Sequence, residues 1–400
     1  MRGANLDGAA MNGAVIGSEL ELQQVLFSTL ATDSGKQIGV ATLNIEKALN
    51  ALNLNMVQAL TAQLTAWRHD DNIVAVVLDG AGEKAFCAGG DVRAIYQASV
   101  QTPGEVTAAA TEFFKQEYEL DYLLHSFGKP VVVWGDGIVM GGGLGLMIGA
   151  SHRIVTERSR IAMPEVTIGL YPDVGGSYFL NRMPGKSGLF LGMTAYNMSG
   201  ADALYVGIGN HYLNVDDKSA LFDQLAMLPW SDNSDDNHHV LNGALSDMSA
   251  ACKTPMAASQ LKQNQLLIDE LMIGTLDEII SRVSCLDEQI GAQHPWLAKA
   301  IKTLLAGSPI SLSLVHLQSK LSEVLGREPS LAECFKLELG LSVNCCAKAD
   351  FAEGVRALLI DKDRNPQWRF TDVASIPPGY AQDLLQSPWD DESHPLKAMH

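Results

Sequence analysis

The sequence is short of basic residues, with 28 Lys and Arg against 46 Asp and Glu and a net charge of −18. Phosphate contacts with nucleic acid need clustered Lys and Arg, so the average field disfavours a nucleic-acid partner. A local basic pocket for a small phosphorylated ligand is still compatible with this charge. No apolar run reaches the roughly 20 residues that a bilayer requires. The longest run, 137–150, contains six glycines, so we expect no membrane-spanning segment.

The cysteines are few and do not form a pattern. The six are Cys87, Cys252, Cys285, Cys334, Cys345 and Cys346. They make no C-x-x-C and no Cys/His pairing at zinc spacing, so we expect no metal site, and a reducing compartment fits best. The N-terminus has only a weak, broken apolar pattern, which does not match a signal peptide. The sequence therefore predicts a cytoplasmic location.

What the chain does have is enough apolar content, 47% of 400 residues, to bury a large core in one domain or two. Short β-type runs at 38–43, 73–79, 130–134 and 152–156 leave room for a helix after each, and residues 53–67 show the apolar face of such a helix. This alternation predicts an α/β fold.

The second half differs in composition. A polar stretch at 229–239 favours an exposed loop or linker, and the residues beyond it show mainly helical periodicity. We therefore predict an N-terminal extension at 1–35 and an α/β core at 36–228. A helical C-terminal region at 229–375 and a loosely packed tail at 376–400 complete the predicted organisation.

Two nucleotide motifs are nearly present and fail on spacing. The segment at 185–187 would complete a phosphate loop only if residue 180 were Gly, and it is Leu180. The glycine run at 141–149 follows a predicted strand, but no register of it matches G-x-G-x-x-G. A serine-hydrolase elbow around Ser151 also lacks its final Gly.

Two glycine-rich loops carry a more specific signal. The segments 84–91 and 141–143 each follow a predicted strand and lead into a predicted helix. The first N–H groups of a helix are unpaired and favour a negative oxygen, so two such loops side by side predict an anion site. The alternative is that the glycines only allow close packing of strand on helix.

These segments resemble a known family. Residues 86–91 read Phe-Cys-Ala-Gly-Gly-Asp, residues 140–143 read Met-Gly-Gly-Gly, and residues 163–165 read Met-Pro-Glu, with Pro-Asp-Val-Gly-Gly at 172–176. They are similar to the enoyl-CoA hydratase/isomerase (crotonase) superfamily, and more narrowly to its branch that hydrolyses 3-hydroxyisobutyryl-CoA in valine breakdown. The resemblance covers about 38–215 and resumes at 350–368.

The resemblance implies a crotonase-like spiral of β-β-α turns, coenzyme A thioesters as ligands, and an oxyanion hole from the backbone N–H groups of Ala88 and Gly142. It implies no metal and no redox cofactor, coenzyme A being part of the substrate. Superfamily members are often trimers or dimers of trimers, which would make this chain a homo-oligomer. The extended helical C-terminus of the hydrolase branch would instead cover that interface, and the sequence leaves the oligomeric state open.

The departures from the hydratase pattern point to hydrolysis. Hydratases use two glutamates, and the position of the first is Gly145 here. The second corresponds to Glu165, and eight residues later, where hydratases usually have Gly, this chain has Asp173. The resemblance thus assigns catalysis to Glu165 and Asp173. Glu165 either attacks the carbonyl or acts as a general base on water, and the residues alone leave both routes open.

Each carboxylate also has a structural alternative. Glu165 would be a surface residue at a turn, and Asp173 would only cap the following helix. Glu117 lies on the apolar face of its predicted helix beside Phe113 and Phe114, where a carboxylate is costly unless it is paired or used. The resemblance makes Glu117 a substrate-binding residue, together with Gly142, Glu165 and Asp173.

Several basic residues are candidates for the coenzyme A phosphates, and spacing does not choose among Arg93, Lys129, Arg153, Arg182 and Lys186. The sequence therefore favours hydrolysis of a short-chain acyl-CoA thioester. Two alternatives remain, an enoyl-CoA hydratase or isomerase that uses Glu165 alone, and a non-catalytic acyl-CoA-binding protein.

Overall fold

The computed structural model describes residues 23–286 and 294–400. The predicted extension at 1–35 therefore lies partly outside the described residues. Nine strands are β1 (Val25–Ala31), β2 (Gln37–Leu43), β3 (Ile73–Gly80), β4 (Ala85–Cys87), β5 (Val131–Gly135), β6 (Ile138–Met140), β7 (His152–Val155), β8 (Arg160–Ala162) and β9 (His211–Tyr212) in these ranges.

The helices of the first half are α1 (Leu54–His69), α2 (Arg93–Gln101), α3 (Ala108–His125), α4 (Gly142–Gly149), α5 (Gly176–Phe179), α6 (Ser187–Thr194), α7 (Gly200–Tyr205) and α8 (Lys218–Met227). Those of the second half are α9 (Ser234–Ala250), α10 (Gln260–Gln263), α11 (Gln265–Leu271), α12 (Leu276–Ser284), α13 (Pro295–Ala306), α14 (Pro309–Gln318), α15 (Leu321–Leu325), α16 (Leu331–Lys348), α17 (Phe351–Val355) and α18 (Tyr380–Leu384). Short 3-10 turns lie at Glu46–Ala48, Glu165–Ile168, Leu180–Arg182, Val215–Asp217 and Val373–Ser375, and a π-helix lies at Arg356–Ile360.

Two sheets form the core. The six-stranded sheet has the order β1-β2-β3-β5-β7-β9, and the three-stranded sheet has the order β4-β6-β8. All pairs are parallel except β1 with β2. Strands β3 and β5 are buried almost throughout, as expected for parallel strands covered on both faces. The four strands predicted from the sequence and helix α1 are confirmed within one or two residues of their predicted ends.

The chain alternates between the two sheets. A strand of the large sheet is followed by a strand of the small one and then by a helix or helical turn: β3, β4 and α2; β5, β6 and α4; β7, β8 and the turn at Glu165–Ile168. These three β-β-α turns confirm the predicted spiral. Because β4, β6 and β8 are parallel neighbours, the three segments that follow them meet at one edge of the small sheet.

The C-terminal helices pack onto this spiral. Helix α16 lies against α3, and α17 lies against α2 and the turn at Glu165–Ile168. The described part of the chain contains no single helix that is both long and apolar enough to cross a membrane; α13 and α14 meet that test only when joined across a 108° bend.

Three sequence-based expectations about segment ends are wrong. Strand β1 already pairs with β2 inside the predicted extension. Helix α9 starts within the predicted linker, because Asn233 caps it by accepting bonds from the N–H groups of its first turn. The tail is not loosely packed, since Leu384 and Leu396 bury their side chains in the core. The other boundaries of the predicted regions stay predictions.

Candidate active site

A cavity of about 290 Å³ opens where the segments after β4, β6 and β8 meet. It is lined by Ala88, Gly89, Gly90, Val92, Phe113, Phe114, Glu117, Met140, Gly141, Gly142, Pro164, Glu165, Thr167, Ile168, Leu170, Asp173, Leu358 and Leu359. Every site residue predicted from the sequence is in this lining. The sheet topology thus brings together residues that are far apart along the chain.

The second glycine loop presents a free amide to the cavity. Gly142 is the first residue of α4, so its N–H has no partner within the helix. Gly141, which precedes it, has φ +48°, a backbone conformation that favours glycine. The loop therefore directs an unpaired donor and the positive end of the helix dipole at the site.

The first loop supplies its donor from a different residue than predicted. The Ala88 N–H donates to the carbonyl oxygen of Leu49 at 3.0 Å, so this amide is occupied. The Gly90 N–H donates to no acceptor in the described ranges, and Gly90 N would lie 3.4 Å from a Cβ atom built on Gly142. The prediction of Ala88 as a donor is therefore wrong. The loop pairs with the segment at residues 49–52, which occupies the Ala88 amide and leaves the Gly90 amide free of any acceptor in the described ranges.

Glu165 is held at the start of the 3-10 turn that follows β8. Its side chain is 4% exposed, so the alternative of a surface carboxylate is wrong. Oε1 would lie 3.0 Å from a Cβ atom on Gly141, and Oε2 has no hydrogen-bond partner among the described residues. Burial raises the pKa of Glu165 well above its usual value, and the nearby Asp173 adds to this. The geometry is that of a desolvated carboxyl group with a free oxygen beside the glycine loops.

Glu117 lies on α3 across from the same loops. The helix buries Phe113 and Phe114 on the same face, and the Glu117 side chain is 3% exposed. Oε1 has no hydrogen-bond partner within residues 23–286 and 294–400, and a Cβ atom on Gly142 would overlap it. Burial, and next the charge of Asp173, raise the pKa of Glu117 well above its usual value. No Lys, Arg or His of the described residues forms an ion pair with Glu117, so the alternative of a buried structural pair finds no partner there.

Asp173 follows the Glu165 turn and is 4% exposed. Its Oδ2 atom accepts a hydrogen bond from the Tyr118 hydroxyl at 2.7 Å. Burial raises its pKa to about 6, and the bond from Tyr118 lowers it in part. Helix α5 begins only at Gly176 and has no side-chain cap, so helix capping does not explain this residue.

A further buried carboxyl group was not found from the sequence. Asp121 lies one turn after Glu117 on α3 and is fully buried, and in the part of the chain that the structure describes neither of its oxygens has a partner. A Cβ atom on Gly145 would lie 2.7 Å from Asp121 Oδ2 and 2.8 Å from Val174 Cβ. Asp121 and Val174 therefore fill the space in which the first hydratase glutamate would begin.

A C-terminal segment within the part covered by the family resemblance also lines the cavity. Leu358 and Leu359 of the π-helix line the cavity. Arg356 anchors this segment through ion pairs with Glu353, Asp361 and Asp363 at 2.6–2.7 Å.

Three of the five basic candidates for phosphate binding are used elsewhere, and one of them, Arg182, donates to the carbonyl oxygens of Tyr178 and Pro329. Lys129 donates to the carbonyl oxygens of Trp67 and Asp70, and Arg153 donates to three backbone carbonyls. Arg93 is exposed and begins α2 directly after the first glycine loop. In the described ranges, no group of three or more His, Cys, Asp or Glu side chains is arranged to hold a metal ion.

The site can be compared with known proteins. The model of the family described as enoyl-CoA hydratase/isomerase matches residues 38–385. The chain belongs to this family. A mitochondrial 3-hydroxyisobutyryl-CoA hydrolase of Danio rerio is 37% identical over 368 residues, which cover 90% of this chain and 92% of that protein. A solved structure titled as an enoyl-CoA hydratase from Rhodobacter sphaeroides is 34% identical with a TM-score of 0.76, covering 92% of this chain and 98% of that one.

Not every similar member of the family is named as an enzyme. The small ribosomal subunit protein mS47 of Neurospora crassa is 35% identical over 366 residues, covering 90% of this chain and 70% of that protein. The hydrolase relatives are named as mitochondrial, so the comparisons do not support the predicted cytoplasmic location. They report nothing on oligomeric state, which stays a prediction.

Proposed function

We propose that this protein hydrolyses a short-chain acyl-CoA thioester, with 3-hydroxyisobutyryl-CoA as its substrate, as the name of the Danio rerio relative states for that protein. The observation that carries the proposal is the placement of Glu165 and Asp173 in one cavity with two free loop amides. The site residues are Gly90, Gly142, Glu117, Glu165 and Asp173.

Hydrolysis passes through a tetrahedral oxyanion. The Gly90 and Gly142 N–H groups would donate to that oxygen, and a preorganised donor of this kind is typically worth about 3 kcal/mol. An ionised Glu165 would then attack the carbonyl carbon, expelling the coenzyme A thiolate and leaving a mixed anhydride that water hydrolyses. Alternatively, Glu165 would take a proton from water as the resulting hydroxide attacks. Both routes consume one water and release one carboxylate, one thiol and one proton.

The two remaining carboxyl groups of the site, those of Glu117 and Asp173, can form hydrogen bonds with the 3-hydroxyl group of the substrate. Glu117 Oε1 has no partner among the described residues, and Asp173 accepts one side-chain bond, from Tyr118 at Oδ2, so each carboxyl group keeps an oxygen for a substrate hydroxyl. We assign Glu117 and Asp173 to contacts with the bound acyl group and its 3-hydroxyl.

The absence of a glutamate at position 145 disfavours the hydratase alternative. Addition of water by the two-glutamate scheme needs a carboxylate there, and Asp121 and Val174 occupy that space. The non-catalytic alternative has one supporting observation, the similarity to the ribosomal protein of Neurospora crassa.

One pair of assays separates these functions. Release of thiol from 3-hydroxyisobutyryl-CoA indicates the hydrolase, loss of enoyl absorbance without thiol release indicates the hydratase, and binding without either indicates the non-catalytic protein. Glu165→Gln should lower thiol release by at least about 100-fold while binding persists. The exposed Glu270→Gln is the matched control. Thiol release by Glu165→Gln at the rate of the control would overturn the assignment.

A further inference from the structure

A chain of buried hydroxyl groups lies behind Asp173. Tyr118 donates to Asp173 Oδ2 at 2.7 Å, and its oxygen lies 2.8 Å from Ser342 Oγ. Ser342 Oγ lies 2.7 Å from the Tyr171 hydroxyl, which donates to the carbonyl oxygen of Glu338 at 2.7 Å. The hydroxyl groups of α3, of the segment before Asp173 and of α16 thus form one continuous network.

The same helix also fixes the backbone after Asp173. The Glu338 carboxylate accepts from the N–H groups of Gly175 and Ser177 at 2.8 and 2.9 Å, and from the Ser177 hydroxyl. Buried hydrogen-bond networks of this kind lock a side chain in one orientation when their members are satisfied. Both the carboxyl group of Asp173 and the turn that follows it are therefore tied to α16.

We propose that Tyr118 is a positioning residue that, with Ser342 and Tyr171, holds the Asp173 carboxylate toward the cavity, so that α16 completes the active site. The inference rests on the proposed hydrolysis and extends it to the C-terminal helical region. Tyr118 does not line the cavity, and it acts through Asp173.

The network also favours the charged form of Asp173. An O–H group that donates to a carboxylate stabilises its ionised state, and the bond from Tyr118 lowers the pKa that burial raises. The other titratable groups near Asp173 come from every element around it: Glu117, Asp121, Glu165, Tyr171, Glu338, Cys345 and Cys346. No ion pair joins Asp173 to a Lys or Arg of the described ranges, so the Tyr118 hydroxyl is its main stabilising contact.

The test compares Tyr118→Phe with Tyr122→Phe. Both tyrosines lie on α3 and both rings contact Phe335, but the Tyr122 hydroxyl donates to the His400 carbonyl at the surface. In 3-hydroxyisobutyryl-CoA hydrolysis we expect Tyr118→Phe to lower kcat about tenfold, the size of a lost hydrogen bond to a charged group. The acid limb of its pH–rate profile should also move to higher pH. Ser342→Ala should shift the limb less, in the same direction.

A folded Tyr118→Phe with the kcat and pH profile of Tyr122→Phe would overturn the proposal. A second readout does not need turnover: the Asp173 carboxyl titration, followed by 13C NMR and assigned with Asp173→Asn, should move to higher pH in Tyr118→Phe. If the wild type hydrolyses no acyl-CoA, the proposed function fails, and this titration still decides whether Tyr118 holds Asp173. An unmoved titration would show that it does not.

Discussion

Oε1 of Glu117 occupies the space from which a side chain at residue 142 would project. Gly142→Ala would therefore displace either the Glu117 carboxyl group or the amide beside it. We expect kcat/KM for acyl-CoA hydrolysis to fall roughly 100-fold, the loss typical of a misplaced oxyanion donor. Steady-state thiol release measures this.

Gly243→Ala is the matched control, because it lies within α9 and a Cβ atom there meets nothing within 4 Å. It should keep full activity and gain up to about 1 kcal/mol of stability from the better helix former. Normal kinetics in Gly142→Ala would mean that the group displaced by the new Cβ atom, Glu117 or the Gly142 amide, does not contribute to the reaction.

Placing at position 145 the glutamate that hydratases have there should not give this protein hydratase activity. In Gly145→Glu, the new Cβ atom would lie within 3 Å of both Asp121 and Val174, and such overpacking costs about 1–3 kcal/mol. We expect a lower melting temperature and no hydration of an enoyl-CoA. The exposed substitution Gly243→Glu serves as control. A stable Gly145→Glu that hydrates crotonyl-CoA would contradict the account of position 145.

Asp121 should make the protein less stable as the pH rises. Burial raises its pKa well above the usual value, and the charge of Glu117 raises it further. The folded state therefore binds a proton that the unfolded state has lost above about pH 4, and stability falls as the pH rises from there toward the folded pKa. Asp121→Asn removes the titrating group, so its melting temperature should exceed that of the wild type at pH 8 and depend less on pH.

Asp223→Asn, on the exposed side of α8, controls for the change in net charge. Thermal melts of the three proteins between pH 5 and pH 9 give the comparison. Parallel curves for wild type and Asp121→Asn would show that Asp121 binds no extra proton in the folded state.

The sequence predicted the parts of the site whose geometry is local. A glycine loop that opens a helix leaves its first amides free, so an anion site at residues 141–143 followed from the sequence itself, and the family resemblance named Gly142 within it. The Glu117 carboxyl group was recognisable because helical spacing placed it among Phe113 and Phe114. Glu165 and Asp173 came from the family resemblance.

The parts that failed depend on segments far apart in the chain. Whether Ala88 or Gly90 donates is decided by the Leu49 carbonyl oxygen, and no local pattern shows which amide that carbonyl will take. The bond network of Tyr118 reaches Ser342 across 224 positions, and its partner helix was predicted only as a helix. Nor did the apolar pattern show that Asp121 would be left without a partner.

Arg356 should control access to the cavity more than the chemistry in it. Its ion pairs with Glu353, Asp361 and Asp363 hold the segment that carries Leu358 and Leu359. We expect Arg356→Leu to raise KM for the acyl-CoA several-fold with a smaller change in kcat.

Arg327→Leu breaks a comparable surface pair with Glu333 on α16 and should leave both constants unchanged. Steady-state kinetics of the two variants at low and at high salt supply the comparison, because salt should weaken the exposed pairs of the wild type. Equal KM values in Arg356→Leu and Arg327→Leu would show that Arg356 does not affect the access of the acyl-CoA to the cavity.

A column of three histidines should make the fold sensitive to acid. His152 stacks between His211 and His238, with ring centroids 5.7 and 5.5 Å away. Burial, and next the charges of the neighbouring histidines, lower its pKa to about 3. The unfolded chain takes up a proton at this residue below about pH 6.5 and the folded chain does not, so stability is lost as the pH falls from there toward 3.

In His152→Gln, the melting temperature should fall less steeply between pH 6.5 and pH 4 than in the wild type. His69→Gln, at the exposed end of α1, should follow the wild-type curve. If His152→Gln instead loses stability as steeply as both of these proteins, His152 is already protonated in the folded state at these pH values and the column does not exclude the proton.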